Sequence, residues 1–575
     1  MGLLTSVDAR LGRLGSLLAR SLGLGANART RRLCAAAALA LFTLVFVQNA
    51  WVSEDAYITF RSVEQLLAGN GPRWNPHERV QAFTHPLWFG VMAVFRLFSR
   101  DVFIHAIIAT YLCSALALLV LARRFGFSGR WLLCVLVLTV SRAFVDFSSS
   151  GLENPLAFLL LALFLVSFLD EKRREPTGGA ASGRSVAWFS LLFALALCTR
   201  HDLGTLLLPA MAYVVWRHRG LGWRPTSGAV LLGLALFLLW TAFSLFYYGF
   251  PVPNTAYAKL NTGVPEKDLL AQGLAYLWSD LWWDPITPGL VLLTILVAAA
   301  RRNAPFQALS LGLLLNVVYV LSVGGDFMHG RFWTAAFFVA VPVLVELWSG
   351  SRTALTALAA ACLALVALEP NAPIKTSDGY VDWRFDRHGI ADERGFYFGS
   401  ASLWEWFRWN PRRDGRLFPR HGWAIEGLKA GRDDQMPCPS SRNVGYFGYW
   451  AGVRKPIIDV LALADPLLAR LPCEPGCRIG HFMRKIPDGY PESILTGENR
   501  IKDPHLARFY DKLRLITRGP LWSAERLKTI VAMNLGYYNG DLKAYIRAQR
   551  AESPGLASRP SASWPTPLSA SRTDS

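Results

Sequence analysis

Two adjacent carboxylates, Glu54 and Asp55, open a polar stretch directly after a long apolar run. A carboxylate at a membrane surface can deprotonate an acceptor hydroxyl or stabilise an oxocarbenium-like centre, as glycosyl transfer requires. Ser53 followed by two acids is also typical of a helix start, so a capping role remains an alternative. We predict Asp55 and Glu54 as the catalytic candidates of this chain.

A second polar cluster, Gly324–Arg331, joins two apolar runs tightly and contains Asp326, His329 and Arg331. Its glycines permit close backbone approach, and Arg and His are suited to an anionic phosphate. The alternative is a polar turn in which Asp326 and Arg331 only pair with each other. Because such a turn does not need all three residue types, we predict that this loop binds a lipid-linked phosphate.

Arg200, His201 and Asp202 separate two short apolar runs almost without a linker. Three ionisable residues at the edge of a bilayer are costly unless they are paired or functional. A mutual pair between Arg200 and Asp202 is the structural alternative. The cost argument favours a role in binding the donor or the acceptor.

Four further polar residues lie in loops next to apolar runs and are candidates for binding donor or acceptor: His85, Glu153, Asn254 and Lys259. Glu153 could supply another active-site carboxylate, and Lys259 could meet a lipid phosphate as a point charge. Their structural alternatives are helix capping for Glu153, snorkelling for Lys259 and interfacial packing for His85.

The composition indicates that membrane helices position these residues. Of the 575 residues, 52% are hydrophobic and only 18% are charged, and this excludes the soluble and disordered classes. The net charge of +19 would suggest nucleic acid in a soluble protein. Here the basic residues are split among short loops between apolar runs, which favours cytoplasmic loops and anionic lipid over nucleic acid.

The apolar runs predict the topology. We predict eleven spanning helices, near residues 33–52, 102–122, 131–146, 155–170, 186–199, 203–216, 227–247, 286–300, 306–323, 333–349 and 353–368. The apolar segment Pro86–Phe98 is too short to cross, because a span needs about 20 residues. As an interfacial or re-entrant helix, it leaves the arginine-rich loops on the cytoplasmic side, in agreement with the positive-inside rule. All the polar candidate loops then share the outer face.

Four regions follow from this topology. They are a cytoplasmic basic N-terminus (1–32), a transmembrane module (33–368) with a catalytic first outer loop (53–101), a mixed α+β periplasmic domain (369–550) and a disordered tail (551–575). Among Cys438, Cys473 and Cys477 one disulfide could form, with the pairing left open. The sequence contains no zinc-type spacing, and it leaves open whether a divalent cation takes part.

Several motifs together resemble a known family. They are the Glu54–Arg61 stretch, the turn 67–72, residues 75–80, Ser150-Gly151-Leu152-Glu153, Gly324–Arg331, Asp465-Pro466-Leu467-Leu468-Ala469-Arg470 and Gly480-His481. In this order and spacing they resemble the mycobacterial-type terminal β-(1→2)-arabinofuranosyltransferases, which are GT-C-type glycosyltransferases. The resemblance extends from the first helix through the outer domain. Thr84-His85-Pro86 is more similar to a wider set of bacterial GT-C proteins, which leaves the donor sugar and the acceptor open.

The resemblance implies a GT-C fold, with a helical bundle, a large outer cavity and a periplasmic domain of carbohydrate-binding character. The implied donor is decaprenyl-phospho-arabinofuranose, and the essential carboxylate of the first outer loop corresponds to Asp55. We therefore expect a multi-pass enzyme of the bacterial inner membrane that moves a pentose from a polyprenyl phosphate to a cell-envelope glycan or surface protein on the periplasmic side.

The main alternative is a transporter or flippase of a lipid-linked sugar. Such a protein would place polar residues at mid-membrane on broken helices, often within inverted repeats. Here the polar residues cluster at one face, and no repeat is visible in the sequence. A membrane-anchored binding protein would not explain carboxylates and cations in five loops of the bundle.

Overall fold

The protein is described by a computed structural model that covers residues 28–171, 180–369, 372–375, 386–415 and 417–552. It is mostly helical. In the bundle the helices are α1 (Ala28–Asn49), α2 (Glu54–Leu67), α3 (Pro86–Arg96), α4 (Val102–Phe125), α5 (Gly129–Val140), α6 (Arg142–Phe147), α7 (Asn154–Glu171), α8 (Ala180–Thr199), α9 (Leu203–Arg217), α10 (Trp223–Tyr247), α11 (Asn254–Leu260), α12 (Glu266–Trp283), α13 (Ile286–Ala300), α14 (Ala304–Ser322), α15 (Thr334–Leu347) and α16 (Arg352–Leu368).

Six of the described helices are long and apolar enough to cross a membrane: α1, α4, α7, α8, α10 and α14. The pair α12 and α13, bent by 112° at a short break, would make a seventh if it forms one span. Each of the eleven predicted spans coincides with a helix or, at 131–146, with the pair α5 and α6. The number of helices that cross the bilayer stays a prediction.

The arginine-rich connections lie together at one end of this bundle. Arg124 at the end of α4 pairs with Asp170 at the end of α7 at 3.1 Å, and also with Glu346 near the end of α15. His218 after α9 lies 2.9 Å from Glu171, the last residue of α7. The predicted basic segments 1–27 and 172–174 are outside the described residues, as are the tail residues 553–575.

The first outer loop lies at the opposite end. Ser53 caps α2 by accepting a hydrogen bond from the Asp55 amide at 3.3 Å, so the predicted helix start is correct. The Ser53 amide itself donates to the Ser150 carbonyl at 2.8 Å, which ties the start of α2 to the connection before α7. The apolar segment that begins at Pro86 is the 11-residue helix α3, in agreement with its prediction as a non-spanning helix.

The region after α16 continues with short helices. They are α17 (Glu393–Ala401), α18 (Leu403–Arg408), α19 (Pro411–Asp414), α20 (Gly422–Arg432), α21 (Tyr446–Ala451), α22 (Tyr490–Thr496), α23 (Pro504–Arg518), α24 (Ala524–Asn534) and α25 (Asn539–Glu552). Regular strand pairing in the described residues is limited to β1 (Ser440–Ser441) and β2 (Ile458–Asp459), which are parallel. The expected mixed α+β character is therefore wrong for the described part of this region, where the polar, Trp- and Tyr-rich sequence folds mainly as helices.

This C-terminal region is joined to the bundle by backbone bonds and by a shared core. The Val52 amide donates to the Ala401 carbonyl at 3.1 Å, and the Leu403 amide donates to the Ala50 carbonyl at 2.8 Å. Tyr397 of α17 stacks on Trp51 with ring centroids 6.1 Å apart. Because these contacts meet the chain between α1 and α2, the C-terminal region helps to hold the residues that precede Asp55.

The second half of the region, from about residue 457, has a core of its own that packs against α11 and the connection after α10. Its buried residues include Leu467, Leu506, Phe509 and Ile516, and Phe250 packs with them. Of the three C-terminal cysteines, Cys473 and Cys477 form a disulfide, whereas Cys438 does not. The structure thereby settles the pairing that the sequence left open.

Candidate active site

Arg331 lies at the centre of a cluster of three carboxylates, at the end of the bundle opposite the arginine-rich connections. Its Nη1 atom is 3.3 Å from Asp55 Oδ2 and 3.7 Å from Asp326 Oδ2. Its Nη2 atom is 3.9 Å from Glu153 Oε1. The side chains of Glu153 and Asp326 are buried, whereas 26% of the Asp55 side chain is exposed. Asp55 is thus the member of this cluster that is most accessible to a substrate.

The loop Gly324–Arg331 is held in place by a buried carboxylate that sequence reasoning missed. Asp280 of α12 accepts hydrogen bonds from His329 Nδ1 at 2.6 Å, Trp333 Nε1 at 2.7 Å and the Gly330 amide at 3.2 Å. Gly330 has a left-handed backbone (φ 75°), and a Cβ atom there would meet Ala143. Asp280 therefore fixes the His329 imidazole, which stacks on Trp283 with ring centroids 5.0 Å apart. Among the described residues, no hydrogen bond or ion pair joins His329 to Asp55, Glu153 or Asp326, whereas Arg331 follows at the start of a 3₁₀ turn.

Glu153 connects the Arg331 cluster to two other predicted residues. Its Oε2 atom is 3.2 Å from His85 Nδ1, and the other nitrogen of this imidazole is 2.8 Å from Thr59 Oγ1 of α2. Arg200 Nη1 approaches Glu153 Oε1 at 3.9 Å, while its Nη2 pairs with Asp202 at 2.8 Å. Arg200 therefore forms the ion pair with Asp202 that was considered as the structural alternative. It also lies near Glu153 of the cluster.

Burial and the neighbouring positive charges have opposite effects on the pKa values of these carboxylates. Burial raises the pKa of Asp55 above its ordinary value, although Arg331 and Lys259 act in the opposite direction. Burial would also raise the pKa of Glu153, but His85, Arg331 and Arg200 together lower it. Glu153 is accordingly a fixed anion that holds the cations, whereas Asp55 is the carboxylate closer to exchanging a proton.

Glu54 points away from this cluster although it precedes Asp55 in the chain. Its Oε1 atom accepts hydrogen bonds from the Gly445 amide at 2.5 Å and the Tyr446 amide at 3.0 Å, at the start of α21. Burial raises the pKa of this carboxyl well above its ordinary value. These contacts indicate that Glu54 fixes the C-terminal region to the start of α2.

We expect Glu54→Gln to keep transfer activity within about threefold of wild type, because the amide oxygen can still accept both backbone hydrogen bonds. Glu54→Ala should instead lower the free energy of unfolding by about 2–3 kcal/mol, because two buried N–H groups lose their acceptor. Initial rates and thermal unfolding in detergent measure both effects. A loss of activity in Glu54→Gln as large as that of a catalytic carboxylate would contradict this assignment.

Three of the predicted binding residues differ in their surroundings. Lys259 is exposed and forms no hydrogen bond or ion pair with any residue that the structure describes, although its charge acts on Asp55. Asn254 donates to the carbonyls of Ala462 and Asp465 at 3.0 Å, so it joins α11 to the C-terminal region. His201 is also exposed and packs against Phe237 of α10, and the structure does not bring it into the cluster.

Glu393 is a second residue that sequence reasoning missed. The Ala391 amide donates to the Phe327 carbonyl at 2.8 Å, and the His329 amide donates to the Ala391 carbonyl at 3.0 Å, so the start of α17 lies along the predicted phosphate loop. Glu393 itself is half-buried and forms no hydrogen bond or ion pair with the described residues. Burial raises its pKa to about 8, Asp55 and Asp326 contribute in the same direction, and Arg478 and Arg331 oppose them. No sequence motif marks this position.

The described residues contain no group of three or more His, Cys, Asp or Glu side chains arranged to hold a metal ion. The carboxylates of the cluster have Arg331 and Arg200 as counter-charges.

Two curated proteins and several solved structures are similar to this chain. A terminal β-(1→2)-arabinofuranosyltransferase of Mycobacterium tuberculosis is 26% identical over 523 residues, which cover 77% of this chain and 82% of the relative. The protein of the same name from Corynebacterium glutamicum is 28% identical over 51% of this chain and 48% of its own length. The predicted resemblance is confirmed. With it, the prediction that the chain is a glycosyltransferase is confirmed at the level of the enzyme class.

The solved structures are more distant. The Archaeoglobus fulgidus oligosaccharyltransferase, crystallised with zinc and sulfate, matches with 12% identity and a TM-score of 0.43 over 83% of this chain and 67% of that one. ArnT from Cupriavidus metallidurans, bound to undecaprenyl phosphate, matches with 13% identity and a TM-score of 0.35 over 76% of each chain. No family model matches the sequence.

Proposed function

We propose that this glycosyltransferase moves a pentose, D-arabinofuranose, from a polyprenyl-phosphate donor to a glycan or surface-protein acceptor of the cell envelope. The contact of Asp55 with Arg331 at 3.3 Å carries the proposal, because it brings a candidate base and a candidate phosphate ligand from distant parts of the chain together. The names of the curated relatives support the choice of sugar. The proposed orientation, with eleven spans and this cluster on the periplasmic face, follows from the arginine-rich opposite end.

The proposed reaction uses the charges of the cluster in one transfer step. Asp55 accepts the proton of the acceptor hydroxyl, whose oxygen forms a bond to the anomeric carbon of the donor. The bond between that carbon and the phosphate oxygen breaks, and its electron pair leaves with the phosphate. Arg331, Arg200 and the exposed ammonium of Lys259 stabilise the negative charge that develops there.

The direct test is transfer from radiolabelled polyprenyl-phospho-arabinofuranose to an arabinan oligosaccharide by the purified chain in detergent. A labelled product with one added pentose, together with release of polyprenyl phosphate, is the expected result. Counterflow of the labelled lipid in proteoliposomes without covalent change would instead support the transporter alternative. Donors carrying a hexose provide the comparison for the sugar, and preferential use of a hexose donor would contradict the proposed pentose.

We further propose that Glu393 is uncharged at neutral pH, so that it adds no negative charge to the site where the donor phosphate binds. The carboxyl forms no ion pair with the described residues. Burial and the charges of Asp55 and Asp326 raise its pKa, and the charges of Arg478 and Arg331 lower it by less. Because its pKa is about 8, it ionises above that pH and then repels the phosphate.

We therefore expect kcat/KM for the donor to fall as the pH rises through about 8 in the wild type, whereas Glu393→Gln should keep its activity to higher pH. The measurement is a pH profile of kcat/KM for both proteins between pH 6 and about 9.5, with KM expected to account for most of the change. Equal profiles would contradict this role, as would a uniform loss of activity in Glu393→Gln at every pH.

A further inference from the structure

An exposed apolar stripe runs along α24 in the C-terminal region. Leu527, Val531 and Leu535 recur at the spacing of one helical face, and the exposed fractions of Val531 and Leu535 are 59% and 69%. Trp522 and Tyr537, just outside the two ends of the helix, are exposed by 82% and 77%. The opposite face carries the buried Arg526, Ile530 and Met533. An apolar stripe with an aromatic residue at each end is typical of a helix in the plane of a membrane interface.

The position of α24 relative to the bundle supports this interpretation. Arg526 donates to the carbonyls of Phe246 and Tyr247, at the last turn of the apolar helix α10, at 2.9 Å each. Asn534 donates to the Gly249 carbonyl at 2.8 Å. Helix α24 therefore begins and ends at the level where α10 leaves its apolar stretch, so its height relative to the bilayer is fixed.

The exposed stripe continues the exposed apolar surface of α10. Only 11% of the most apolar window of α10 is buried, and Leu232 and Leu239 are exposed on its side. Trp522 packs on Phe246 of that helix, with ring centroids 4.7 Å apart. The apolar surface of a membrane-spanning helix thus passes through Trp522 into the stripe of α24 without a polar break between the two rings.

We propose that the face of α24 formed by Trp522, Leu527, Val531, Leu535 and Tyr537 binds the outer leaflet of the bilayer at the level of the headgroups. With 11 residues the helix is about 16 Å long, which is too short to cross. Lys528 and Glu525 are exposed beside the stripe. This contact does not depend on the proposed transfer reaction, and it would hold the C-terminal region flat against the membrane beside the active-site cluster.

The test is photo-cross-linking of the full-length chain in proteoliposomes. The photoreactive residue p-benzoylphenylalanine replaces Val531 or Leu535, and in matched controls it replaces Glu525 on another side of α24 or the exposed Lys502. The control at Lys502 lies before the start of α23, about 20 Å along that helix from Ile516, which lies against Gly249 after α10. Mass spectrometry then measures phospholipid adducts at each position.

We expect on the order of tenfold more phospholipid adduct at Val531 and Leu535 than at Lys502, with Glu525 in between, because the stripe would lie at the acyl boundary. Equal adducts at all four positions would overturn the proposal. Cross-links from Val531 or Leu535 to a second copy of the chain would overturn it as well, in favour of a protein interface. Since no turnover is measured, this outcome is independent of whether pentose transfer is confirmed.

Discussion

Asp55→Asn is expected to reduce kcat for pentose transfer by about 10³-fold, because the amide cannot accept the proton of the acceptor hydroxyl. KM for the donor should change much less, since Arg331 and Lys259 keep their charges. The variant should fold normally. Its side chain is partly exposed, the capping hydroxyl of Ser53 is unchanged, and Arg331 retains Glu153 and Asp326 as partners. Single-turnover kinetics with labelled donor separate these effects from binding.

Glu64→Gln is the matched control for this variant. Glu64 lies on the same helix, and its carboxylate is also paired with an arginine, since it contacts Arg96 at 2.5 Å. It does not contact the residues of the cluster. Removal of its charge should leave the activity within about twofold of wild type, as expected for a partly exposed ion pair. Unimpaired turnover by Asp55→Asn, with Glu64→Gln also active, would remove Asp55 from the chemistry.

The sequence could predict Asp55 because its position follows from local rules. An apolar run long enough to span, a capping serine and two acids together place the carboxylates at the first helical turn outside the membrane. The same rules could not choose between Glu54 and Asp55. Adjacent residues on a helix point about 100° apart, so only one of them can face Arg331, and the other meets Gly445 nearly 400 positions later.

The residues that sequence reasoning missed are those whose role comes from long-range contacts. Asp280 lies in α12, a helix that the apolar runs did not predict, and its three donors come from a segment about 50 positions later. Glu393 has no motif around it and is brought to the cluster by the backbone bonds of Ala391. By contrast, the segment Gly324–Arg331 could be recognised from the sequence alone, because it combines glycines with an aspartate, a histidine and an arginine. The helices that coincide with the eleven apolar runs were predictable, whereas α12 and the joining of the C-terminal region to the bundle were not.

The contacts of Arg331 also predict how its substitution affects activity and stability. Arg331→Gln is expected to lower kcat/KM for the lipid-linked donor by about 10²–10³-fold, because the phosphate loses a charged ligand in the ground state and in the transition state. The buried carboxylates of Glu153 and Asp326 would also lose a counter-charge, which should reduce stability by about 3 kcal/mol. The activity of Arg331→Lys should fall between those of the wild type and Arg331→Gln, because lysine keeps the positive charge but lacks the planar guanidinium. Steady-state kinetics and thermal unfolding in detergent give the two quantities.

A double-mutant cycle separates a role of Arg331 in catalysis from its role in folding. If Asp55 and Arg331 act on the same transfer step, the variant that carries Asp55→Asn and Arg331→Gln should lose far less activity than the product of the two single losses. Arg96→Gln, which breaks the pair with Glu64 at the other end of α2, is the matched control and should combine with Asp55→Asn independently. Full multiplication of the losses at Asp55 and Arg331 would contradict a shared step. Because Arg331 is the side chain that contacts all three carboxylates of the cluster, independent effects would mean that these carboxylates and this guanidinium do not form one active site.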